Sequence, residues 1–121
     1  MQEITSHKVN GLNDKLKIEA LDEPGSGNAC HCYSITPTVG NAKGLLIEFQ
    51  NGPMSADSPP NGLSNEALLA VVEHRLLGFQ SGEYACRENA VALTKLQESM
   101  MWLQKRTRDR MARGVEGTSE K

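Results

Sequence analysis

The chain has 121 residues, 38% of them apolar and 4% aromatic, with a formal net charge of −2. That length predicts one domain, residues 1–121, with a modest core built from Leu, Val, Ile, Ala and Met; so thin a core favours oligomerisation. The charge removes any global electrostatic case for nucleic acid, and no apolar run approaches the roughly 18 residues of a membrane span.

Residues 1–52 read as a β part. The N-terminal stretch MQEITSHKVNGLNDKLKIEA lacks the unbroken apolar centre of a secretory signal. In KLKIEAL (15–21), Leu16, Ile18 and Ala20 alternate with polar residues, the pattern of a half-buried strand. DEPGSGN (22–28) supplies turn residues for a loop, and CHCYSI (30–35) and LLIEFQ (45–50) read as two further strands. An antiparallel meander of three or four strands is the simplest arrangement, and its apolar face needs a cover. The Pro-, Gly- and Ser-rich residues 53–63 read as a linker.

From Ser64 the period becomes helical, over a hairpin predicted for 64–113. Ser64 is suited to cap a helix whose first turn carries Glu66. Leu68, Leu69, Val72, Leu76 and Leu77 follow at helical spacing, and Gly78 is the expected stop. A second helix is predicted from about Tyr84 to Ala112, with a heptad-like seam of Asn89, Leu93, Leu96, Met100, Leu103, Thr107 and Arg110. Two helices joined by a short Gly-containing link form an antiparallel hairpin that can pack over the sheet. A polar tail follows at 114–121, of which GTSEK (117–121) is expected to fray. The fold class expected is α+β: a small N-terminal antiparallel sheet, then a helical hairpin, in an oligomer.

The seam is apolar in its middle and polar at both ends, so its ends are either solvated overhang or a binding surface. Between Trp102 and Arg113 the chain carries five cations, Lys105, Arg106, Arg108, Arg110 and Arg113, against Asp109. Cations at a helix C-terminus complement the dipole, but that accounts for one or two more readily than five. Arg106, Arg110 and Arg113 share a face, and Arg suits the two-pronged recognition of phosphate. Anion binding, above all of phosphate, is the favoured reading.

Other chemistry is weaker. Cys30 and Cys32 on a strand would point to one side and His31 to the other, so no metal site is expected. Three cysteines without a secretion signal fit reduced thiols in a cytoplasm. Cys86, near Arg87 and a helix start, lacks an evident base. No catalytic grouping stands out, so neither an enzyme nor a cofactor is expected.

The stretch LLGFQSGEYACRENAVALTKLQESMMWLQKRTRDRMARGVEG closely resembles the C-terminal part of the Thoeris anti-defence sponge proteins of bacteriophages, in the first-described family of that name. HKVNGLND, DEPGSGNACHCYSI and IEFQNGP are similar to the same family's sheet. The most specific features are an aromatic ten residues before an Asn and that Asn seventeen before an Arg, which fall on Phe79, Asn89 and Arg106. The resemblance implies a protein that binds, without cleaving, the cyclic ADP-ribose isomers made by TIR-domain defence enzymes. It further implies dimers or hexamers and, in some members, separate sites for cyclic di- or trinucleotides. By match, ligand contacts fall on Phe79, Asn89, Arg106 and Arg110; Arg87, Tyr84 and Arg113 join them on chemistry and position.

Seventeen residues of helix span about 25 Å at 1.5 Å per residue, so Asn89 and Arg106 of one chain cannot both touch one compact ligand. A head-to-tail partner is therefore expected to bring its Arg106 and Arg110 to this chain's Phe79 and Asn89. The rival reading is a nucleic-acid-binding accessory protein that uses the Arg-rich helix.

Overall fold

A computed structural model describes residues 1–118. It divides into two compact units, Met1–Leu63 and the residues from Ser64 onward.

The first unit is a four-stranded antiparallel sheet in the order β1-β2-β3-β4: Gln2–Ile4, Leu16–Ala20, Cys32–Pro37 and Leu45–Glu48. A single helical turn, α1 (Gly11–Asp14), precedes β2, and a 3-10 turn at Ser26–Asn28 lies between β2 and β3. Register sorts the side chains. Ile18 stands opposite Ile4 and Ile35, Ala20 opposite Tyr33, and Tyr33 opposite Ile47. Because side chains alternate faces along a strand, these residues share one face with Leu16, while Glu3, Lys17, Glu19, Ser34 and Glu48 take the other. Ala20 and Ile47 are the buried apolar residues of this face, at 3% and 7% exposure, and Tyr33 meets Phe49 edge to face with centroids 5.7 Å apart.

The CHC stretch does not sit as one strand. β3 starts at Cys32, so Cys30 and His31 belong to the preceding loop. The Asp22 carboxylate accepts the backbone N–H of His31 at 2.9 Å and of Cys32 at 3.1 Å. The Cys30 thiol donates to the Asp22 carbonyl, and His31 Nε2–H to the Ser26 carbonyl. The His31 N–H, foremost, with that of Cys32, holds the Asp22 carboxyl below the usual carboxylate range against an opposing push from burial. Burial pushes the Cys32 thiol up. Among the described residues no group of three or more His, Cys, Asp or Glu could hold a metal ion.

The Pro- and Gly-rich residues 53–63 return to the sheet. Leu63 bridges Phe49 in parallel, its N–H donating to the Glu48 carbonyl at 2.8 Å and its carbonyl accepting from Gln50 at 2.8 Å. Asn61 fastens the same return to Asn51 through two hydrogen bonds. Gly62 is required there: a Cβ would come within 2.3 Å of the Phe49 carbonyl carbon.

The second unit holds α2 (Asn65–Gln80) and α3 (Arg87–Ala112). Ser64 caps α2, its Oγ accepting the Ala67 N–H at 3.1 Å. Gly78 does not stop this helix. The chain stays helical to Gln80, and Ser81 closes it, with its hydroxyl and its N–H both donating to the Gly78 carbonyl. A stop glycine acts by adopting positive φ, and Gly78 does not, whereas Gly114, after α3, does, at φ 75°. There the N–H of Val115 reaches the Arg110 carbonyl and that of Gly114 the Met111 carbonyl, a Schellman end. α3 starts three residues later than expected, because Cys86 takes the cap position and its Sγ accepts the Asn89 N–H at 3.4 Å.

The seam of α3 is as its spacing predicts. Asn89, Leu93, Leu96, Met100, Leu103 and Thr107 are half-buried, Arg110 is buried, and the rest of the helix is exposed. α2 agrees in part: Leu68, Leu69 and Leu76 of the expected stripe are half-buried, together with Glu66, Glu73, Phe79 and Gln80, while Val72 and Leu77 are each 46% exposed. A stripe read from apolar residues alone rotates away from the true contact line when acids occupy part of it. Of the tail, residues 119–121 lie outside the described residues.

Candidate functional site

The hairpin carries its unusual chemistry at its two ends. At the loop end, Phe79 occupies the last turn of α2 and Tyr84 the connecting loop, their rings edge to face at 6.4 Å and 74°. The guanidinium of Arg75 lies 5.0 Å over the Phe79 ring centroid. Gln80 shapes the loop: its side-chain amide accepts the Cys86 N–H at 3.1 Å and donates to the Cys86 carbonyl at 3.2 Å. This two-way bond closes five residues and sets both Tyr84 and the start of α3. Phe79 and Asn89 are half-buried, while Tyr84 and Arg87 are exposed.

At the far end of α3, Trp102, Lys105, Arg106, Asp109, Arg110 and Arg113 line an open depression of about 310 Å³. The three arginines expected on one face therefore do meet, but they are not equivalent. Arg110 is 6% exposed. Its Nη2 donates to the carbonyls of Val115 at 2.9 Å and Thr118 at 3.1 Å, and its Nε lies 3.7 Å from the Glu116 carboxylate. The Schellman turn that ends α3 folds the chain back over this side chain. Lys105 pairs with Asp109 at 2.6 Å. Arg106 and Arg108 form no salt bridge among the described residues. Among the described residues Lys105 and Arg110 are thus engaged with carboxylates, which lowers the charge offered below the formal count.

Arg87 opens α3. It borders a separate depression of about 350 Å³ with Ala90, Val91, Thr94 and Lys95. Three site residues escaped the sequence reading. Arg75 and Trp102 each lie four residues before a recognised one, Phe79 and Arg106, and that spacing was the available signal. Gln80 carried no signal, because its role depends on loop closure.

The family model described as "Acb2/Tad1, hairpin domain" matches residues 42–108, from before β4 through most of α3. The chain belongs to this family. It is also 55% identical over 86 residues to "Thoeris anti-defense 1" of Bacillus phage SBSphiJ7, a match covering 69% of this chain and 60% of that protein. The chain spans about 60% of its relative's length. The family match includes Phe79, Tyr84, Arg87, Asn89 and Arg106 and ends before Arg110 and Arg113. No helix among the described residues is long and apolar enough to cross a membrane.

Proposed function

We propose that the protein is a phage anti-defence sponge of the host cytoplasm. It binds cyclic ADP-ribose isomers from TIR-domain enzymes, glycocyclic ADP-ribose among them, and withholds them from their effector without cleaving them. The observation that carries this reading is the separation of two complementary half-sites on one hairpin of this family. An aromatic cluster with Asn89 stands at the loop end, and a guanidinium-lined depression stands about 25 Å away along α3. A base stacks on Phe79, Asn89 meets a ribose or base edge, and Arg106 of a second copy holds the diphosphate; Arg110, engaged by its own C-terminal turn, joins it only where that turn yields. Stacking contributes roughly 1–3 kcal/mol and each charge-assisted hydrogen bond about 1.5–3 kcal/mol, enough for capture below the micromolar range after ordering costs.

This reading calls for a head-to-tail dimer, from which a hexamer can be built. The hairpin also has surface for partners: Val71 is 66% exposed and Trp102 59% exposed. Cyclic di- or trinucleotides would occupy separate sites. The rival reading, a nucleic-acid-binding accessory protein, is weakened by the engagement of Lys105 with Asp109 and of Arg110 with the C-terminal turn.

Calorimetric titration of glycocyclic ADP-ribose into the full chain is the test. Phe79→Ala, Asn89→Trp and Arg106→Glu should each weaken capture at least tenfold, and the ligand should return chemically intact after heat denaturation of the complex. Wild-type affinity in all three variants, or a cleaved ligand, overturns the proposal.

A further inference from the structure

Arg75 and Phe79 are four apart in α2, so one helical turn places them on the same face. The guanidinium lies over the ring at 5.0 Å, within the range where the ring quadrupole attracts a cation. Arg75 forms no salt bridge and no side-chain hydrogen bond among the described residues, although acids are common along both helices. The contact with the ring holds the cation near the aromatic pair while leaving its N–H donors uncommitted. Tyr84, 69% exposed, completes an angled aromatic shelf with Phe79. The Gln80–Cys86 clamp holds the loop that carries it, so less ordering is left to ligand binding.

An aromatic shelf bordered by an uncommitted guanidinium matches a base joined to a phosphate. The shelf takes the planar face, and the fork of donors takes two phosphate oxygens. We propose that Arg75 is a ligand-contacting residue that donates to a nucleotide phosphate beside the base stacked on Phe79 and Tyr84. Each chain thereby carries a base-and-phosphate element of its own, and Arg75 discriminates nucleotides from nucleosides. This rests on the reading that the loop end of the hairpin receives a nucleotide. It differs from that reading in placing one phosphate contact on the same chain as the stacked base.

The test compares AMP, adenosine and glycocyclic ADP-ribose as ligands of the full-length protein, by calorimetry or by NMR titration of the loop amides at two salt concentrations. Wild type should prefer AMP to adenosine, with a preference that shrinks as salt rises. Arg75→Gln should erase that preference and weaken glycocyclic ADP-ribose about tenfold, the loss of one charge-assisted contact. Arg75→Lys, which keeps the charge but not the fork, should recover part of both. A merely structural cation–π contact would leave the AMP-to-adenosine ratio unchanged in Arg75→Gln, and that result overturns the inference. Messenger binding that is lost in Phe79→Ala and unaffected in Arg75→Gln sinks the inference alone. No messenger binding by wild type sinks the sponge reading, while an AMP preference that vanishes in Arg75→Gln still upholds the role of Arg75.

Discussion

In residues 1–63 the polar groups around the CHC loop are bonded to one another: Asp22 accepts two backbone N–H groups, and His31 and Cys30 donate to carbonyls. Both buried apolar residues of the described chain, Ala20 and Ile47, are also there. The hairpin is organised otherwise. Among its described residues Arg110 alone is buried, its apolar Val71, Val72 and Trp102 are exposed, and Arg75 and Arg106 have no carboxylate partner. Groups already satisfied within the chain stabilise it but offer a ligand little. Unpartnered guanidinium groups and exposed rings stabilise the lone chain little and keep their interaction free energy for binding. Under the proposed function, the contrast gives stability mainly to the sheet and recognition to the hairpin.

The strongest test of that division lies in the sheet. Ile47→Ala should cost about 3 kcal/mol of stability, seen as an earlier urea midpoint, from lost burial and a residual cavity. Messenger affinity of the folded fraction should be unchanged, and an affinity that falls in step with stability would break the comparison. Next, Gln80→Ala removes both bonds to the Cys86 backbone and should cost about 1.5 kcal/mol. It should also speed amide exchange across residues 81–86 and loosen messenger binding, which places a structural residue of the hairpin in the service of the site.

A smaller change is expected with acid. The folded Asp22 carboxyl is held below its ordinary value, so its contribution to stability is present above the unfolded value, near pH 4, and fades as pH falls through the lower folded value. Thermal melts between pH 5 and 2 should show that loss, and Asp22→Asn should flatten it. The smallest effect is at the cap of α3. Cys86→Ser replaces a weak sulfur acceptor with a favoured capping hydroxyl and should raise stability by about 0.5 kcal/mol, detectable as a slightly higher melting temperature with site affinity preserved.

Much of this was legible in the residues because it depends on neighbours within a turn or a pleat. The seven seam positions of α3 follow from steps of three and four, and Ser64 acts as the cap its position predicts. The alternation of Leu16, Ile18 and Ala20 places β2. β1 was not legible, since three residues are too few for a periodic signal; it exists because Gln2, Glu3 and Ile4 pair with Ala20, Glu19 and Ile18. On α2 the spacing places Leu68, Leu69 and Leu76 but not Val72 and Leu77, because Glu66 and Glu73 take part of the half-buried face, and an apolar count passes over acids whose stems pack while their charges reach water.

At the site, periodicity placed Phe79 and Asn89 at one end of the hairpin and Arg106 at the other, because fixed rise and turn angle convert spacing into position. Only the folded chain distinguished Arg110, buried beneath its own C-terminal turn, from Arg106, and only it brought Arg75 over Phe79 and Gln80 onto Cys86. Those outcomes depend on where a loop closes and which rotamer a long side chain adopts. Many residue strings share the same helical period and differ in both, so the three-dimensional packing makes the choice.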